Sequence, residues 1–143
     1  MTAQEWLQQV REVDDEVQIL RRSMFDAYAL ATKTTAGLDG VAVQASPDPH
    51  KFDGVAELDE AIWERIRMLS AMKAKAVRVI GALQDPRQRQ VLTAYYVDCR
   101  THDGQRKTWE MVAVELHMSF RQLWYTRGAA LRAVEEFCDR IAH

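Results

Sequence analysis

The chain is poor in the residues that break or staple a fold. Its 143 residues include three prolines, six glycines and two cysteines. So few breakers leave room for long uninterrupted helices. Cys99 and Cys138 lack a CxxC spacing. That excludes a disulfide-dense scaffold and a cysteine-built zinc site, and a reduced pair in a cytoplasmic setting is the expectation. No apolar run approaches the roughly 20 residues that a bilayer span needs, so no membrane partner is expected. The first residues, MTAQEWLQQVREVDDE, have neither the basic start nor the apolar core of a secretory signal.

Charge of one sign is also missing. There are 19 basic and 21 acidic side chains, a net charge of −2. The balance is regional: residues 1–84 carry ten basic against thirteen acidic residues, and 85–143 carry nine against eight. Within 100–132, Arg100, Arg106, Lys107, Arg121, Arg127 and Arg132 face only Asp103, Glu110 and Glu115. This mild basic bias suits weak DNA binding that is strengthened by multimerisation or by a partner.

The usual enzymatic signatures are absent. The sequence has no Gly-rich phosphate loop, no HExxH and no Ser or Cys with an evident partner, so neither catalysis nor a cofactor is expected. His102 and His117 have no cysteine pair at zinc spacing. The polar cluster Asp48, His50, Lys51 and Asp53 reads as a solvated loop rather than a metal site. Tyr95 and Tyr96 lack the Arg and His cluster of a strand-transfer enzyme and read as core with a wet hydroxyl.

The apolar pattern is helical. Over residues 3–36, Trp6, Val10, Val13, Val17, Leu20, Met24, Ala27 and Ala31 alternate four and three apart, a heptad seam. Leu7, Ile19, Tyr28 and Leu30 widen it. Residues 36–54, with three glycines and two prolines, read as a long loop. Limited proteolysis is expected to cut there first and leave both flanking helices paired; a loop as resistant as the helices would contradict this. Helix resumes near Val55 and runs to about Gln84, with Ile62, Leu69, Ala76 and Leu83 seven apart. Two long amphipathic helices of similar length predict an antiparallel, coiled-coil-like hairpin, and stripes this wide predict that it dimerises.

The second half is punctuated differently. Asp85 and Pro86 suit the cap and first position of a helix that puts Val91, Leu92, Tyr95 and Tyr96 on one side. Residues 99–107, CRTHDGQRK, read as a loop. Thr108 can cap the next helix, with Trp109, Val112, Ala113 and Leu116 inward. His117-Met118-Ser119 makes a turn, with Met118 as an apolar plug and Ser119 as the cap of a last helix running from Phe120 to about Ile141. Leu123, Ala130, Leu131 and Val134 face the core, which leaves Phe120, Arg121, Gln122, Trp124 and Tyr125 outward at the helix start.

The stretch LQDPRQRQVLTAYYV…TWEMVAVELHMSFRQLWYTRGAAL resembles the promoter-reading region 4 of bacterial sigma factors. The whole chain resembles the small phage-encoded, sigma-like transcriptional regulators of the ArpU/RinA type, in which a long helical hairpin precedes a helix-turn-helix. The resemblance implies an all-α fold with a hairpin over 1–84 and a DNA-reading unit over 85–143. It implies double-stranded DNA as partner, RNA polymerase as a second one, and a bacterial cytoplasm as location. Carried over by position, Thr108 opens the first motif helix and Ser119 opens the recognition helix. Arg121, Gln122, Trp124 and Tyr125 match the DNA-facing positions, with Phe120 beside them. Arg106, Lys107 and Arg127 are expected on phosphates. The sequence departs from the family at His117, which replaces a turn glycine, in the longer loop 97–107, in the aromatics Phe120 and Trp124, and in Gly128 within a helix. A small terminase-like packaging protein and a helical protein-binding module are the competing classes.

Overall fold

The computed structural model describes residues 2–37 and 53–142. The expected loop 36–54 lies almost wholly outside the described residues, and so does the cluster at Asp48, His50 and Lys51. Among the described residues the chain is all-α: α1 (Ala3–Gly37), α2 (Asp53–Gly81), α3 (Pro86–Leu92), a π-helical turn (Thr93–Val97), α4 (Trp109–Glu115) and α5 (Phe120–Ala142). None of these helices is long and apolar enough to cross a membrane. Helix α2 stops at Gly81, three residues before the expected end.

The chain divides into two compact units, one of Met1–Glu12 with Leu69–His143, the other of Val13–Met68. The boundary expected at 84/85 therefore falls inside the first unit. The reason is that the start of α1 is core to that unit: Leu7 and Val10 are fully buried. Arg11 donates from Nη2 to the Lys107 carbonyl at 2.7 Å and lies 3.6 Å over the Tyr95 ring. The Lys75 ammonium sits over the Trp6 ring.

Local chemistry fixes the helix ends of this unit. Thr2 and Glu5 form a capping box: the Glu5 amide donates to Thr2 Oγ1 at 3.2 Å, and the Thr2 amide donates to Glu5 Oε2 at 3.0 Å. Asp85 Oδ1 accepts from the Arg87 amide at 2.9 Å, with Pro86 at the first helical position. Helix α3 widens into the π turn, where the Asp98 amide reaches back five residues to the Thr93 carbonyl. Nothing in the apolar spacing signals this turn. The following loop closes on itself through the bridge Arg100–Arg106 and a turn at Thr101–Gly104, where Gly104 takes φ 84°. Only glycine adopts that conformation freely.

The core of this unit gathers Val91, Ala94, Val112, Ala113 and Leu123, with Tyr95, Trp109, Leu116 and Met118 packed against it. Ala130 and Val134 bury the next two turns of α5. The inward face expected for α4 and α5 is thus observed, with Leu131 only partly buried. Cys99 and Cys138 are both free.

In the unit Val13–Met68, Val13, Val17 and Ile62 are buried and Arg65 Nε pairs with Glu16 at 3.5 Å. Several large apolar side chains remain exposed there, Phe25 at 74% foremost.

Candidate nucleic-acid interface

The turn between α4 and α5 is built by four residues. Thr108 Oγ1 accepts from the Met111 amide at 3.3 Å and starts α4. The helix ends in a Schellman arrangement: the Met118 amide donates to the Ala113 carbonyl at 2.9 Å and the His117 amide to the Val114 carbonyl at 3.2 Å. His117 takes φ 55°, the left-handed conformation that position requires. Met118 drops onto the core, as an apolar residue after such a turn should. Ser119 then caps α5 in a second capping box: the Gln122 amide donates to Ser119 Oγ at 3.1 Å, and the Ser119 amide donates to Gln122 Oε1 at 3.2 Å.

This geometry sorts the expected interface residues. Arg121, Gln122 and Tyr125 are exposed, Tyr125 at 77%. Gln122 spends its carbonyl oxygen on the cap, which leaves its amide NH2 outside the capping box. Phe120 and Trp124 are half exposed and stack at 5.7 Å with 21° between rings. Trp124 is also tied inward, edge-on to Trp109 at 6.3 Å, and Trp109 stacks on Tyr95 at 3.6 Å. An aromatic ladder therefore runs from the surface to the core, and the outward expectation for Phe120 and Trp124 is half right.

Two of the three cations expected on phosphates, Lys107 and Arg127, are not freely exposed. Lys107 is a correction: it is 6% exposed, and Nζ donates to Asp98 Oδ2 and to Glu115 Oε2, both at 3.0 Å, and to the Ala94 carbonyl at 3.4 Å. A buried ammonium with three oxygen partners is not available to a phosphate. Burial alone would lower its pKa, but the hydrogen bonds and charges of Glu115 and Asp98 outweigh burial and hold it above the usual 10.5. Arg127 is half-buried, 4.4 Å over the Trp124 ring and 5.1 Å over Trp109, so it is packed as much as presented. It also contacts the Tyr96 hydroxyl, whose pKa burial raises and the Arg127 charge opposes. Arg106 is exposed in the loop, opposite Arg100.

One residue was missed. Arg132 is exposed, and 121, 125, 128 and 132 follow the helical spacing of one face. Gly128 opens that face, and the Arg132 guanidinium lies 3.6 Å from where its Cβ would be. The spacing alone could have revealed it. Among the described residues no group of three His, Cys, Asp or Glu is placed to hold a metal. Comparison with protein-family models, curated proteins and solved structures found no match.

Proposed function

We propose that the chain is a sequence-specific DNA-binding transcriptional regulator of phage type, working in the cytoplasm of a bacterial host. In this reading α4 and α5 are a helix-turn-helix whose second helix enters the major groove. Helices α1 and α2 form an antiparallel hairpin that makes the protein a homodimer and offers a surface to RNA polymerase. The observation that carries the reading is the tight His117 turn, which delivers α5 with Arg121, Gln122, Tyr125 and Arg132 exposed along its first four turns. Arg121 suits guanine and the Gln122 amide suits an acceptor on a base edge. Arg132, and Arg106 from the loop, suit phosphates.

Sequencing the genomic fragments retained by the purified protein tests this, with one enriched motif as the expected result. On that site Arg121→Ala should cost about 1–3 kcal/mol of binding and relax preference at one base pair. Its melting temperature should stay at the parent's, because Arg121 is exposed. Unchanged affinity, or loss of the fold, would sink the reading of α5. A protein-binding module is the second reading, favoured by the exposed Val114, Phe120, Trp124 and Tyr125. Failure to retain DNA even at low salt would favour it.

A further inference from the structure

The apolar groove of the unit Val13–Met68 has a volume of about 490 Å³. Met24, Phe25 and Tyr28 of α1 line one wall, and Ile62, Trp63 and Ile66 of α2 line the other. Both walls follow the spacing i, i+1, i+4, so each presents one helix face. Three of these side chains are aromatics more than half exposed: Phe25 74%, Tyr28 56% and Trp63 52%. Among the described residues of this unit no third element covers that face, and an apolar patch of this kind marks an interface.

Charge says what covers it. Arg21 stands on the α1 wall and Asp59 on the α2 wall. Neither forms an ion pair among the described residues. One cation and one anion on a single groove make that groove complementary to itself. A two-fold axis along the helices brings Arg21 of each copy to Asp59 of the other, as an isologous contact requires. Covering the three aromatics and their neighbours would bury on the order of 500 Å² per copy, about the minimum for a specific dimer.

We infer that this groove, walled by Phe25, Tyr28 and Trp63, is the seat of a second copy of the chain. The inference rests on the dimeric part of the function proposed above and is independent of DNA reading. It places the contact on the Phe25–Trp63 face and not on the back of α1, where Ile19 is also exposed.

Sedimentation equilibrium of the full chain at micromolar concentration tests it. The parent should have twice the chain mass. Phe25→Glu should raise the dimer dissociation constant by roughly tenfold or more. Its helicity by circular dichroism should not change, because Phe25 is exposed within one chain. Ile19→Glu should leave the dimer intact. Arg21→Asp and Asp59→Arg should each weaken the dimer, and their combination should restore it even if Phe25→Glu fails to fold. A monomeric parent overturns both the dimer and the groove. A dimer insensitive to Phe25→Glu and to the charge exchange, or one broken by Ile19→Glu, overturns the groove alone. DNA retention by the parent is scored separately and bears on neither result.

Discussion

Arg11→Ala is expected to destabilise the chain by about 3–5 kcal/mol, read as a fall in the thermal or urea midpoint. Arg11 is 1% exposed and among the largest fully buried side chains. Truncation removes three things together. The Lys107 carbonyl loses the charged donor that sits 2.7 Å away, a bond typically worth about 1.5–3 kcal/mol. Tyr95 loses a guanidinium stacked at 3.6 Å, an interaction worth about 2 kcal/mol when desolvated. A void then opens between the start of α1 and the π turn. Arg11→Met separates these causes, since it keeps volume and discards charge. A midpoint near the parent's would make Arg11 a packing residue, and one near that of Arg11→Ala would make it an electrostatic tie. An unchanged midpoint for Arg11→Ala would show that residues 3–12 are not part of this unit. By the same logic a fragment beginning at residue 85, which lacks Leu7, Val10 and Arg11, should fail to give a cooperative transition.

That tie explains where sequence reasoning went astray. The heptad seam through Val10, Val13 and Val17 is legible because burial on a helix repeats every three to four residues. Which partner covers each stretch of the seam is not encoded in that repeat. Leu7, Val10 and Arg11 serve the C-terminal unit, while Val13 and Val17 are core to the other. The repeat marks apolar positions only and gives no sign that Arg11 is buried. The caps were legible for the opposite reason: Asp85, Thr108 and Ser119 act on amides two or three residues away, within the range of local sequence. The positive φ of His117 accords with the resemblance, in which a turn glycine stands at that position. The π turn was invisible, since one extra residue between Thr93 and Asp98 leaves the apolar spacing almost unchanged.

The exposed start of α5 was legible in outline, and the state of the nearby cations was not. Spacing put Arg121, Gln122 and Tyr125 at the exposed start of α5. It could not tell a free cation from a satisfied one, because that depends on Asp98 and Glu115, nine and eight residues away on either side of Lys107.

Lys107 gives the sharpest test of that distinction. Lys107→Met keeps most of the buried stem and removes the charge. It should cost about 1–3 kcal/mol, because the ammonium ties the loop to α4 through Asp98 and Glu115, and both carboxylates stay hydrated enough to be screened when left alone. The loss should depend on pH in one direction. The folded-state pKa of Lys107 lies above its usual 10.5, so the folded protein holds this proton more tightly than the unfolded chain. The stabilisation is therefore complete below pH 10.5 and fades as pH climbs through the higher folded value. Parent and Lys107→Met should differ by a constant amount at neutral and mildly alkaline pH, and their curves should converge above pH 10.5. A phosphate contact predicts the opposite pattern. Lys107→Met would then keep the parent's melting temperature at every pH, weaken binding to all DNA sequences alike and lower the salt slope by about one. Finding that pattern would return Lys107 to the interface and show that its carboxylate partners release it when DNA arrives.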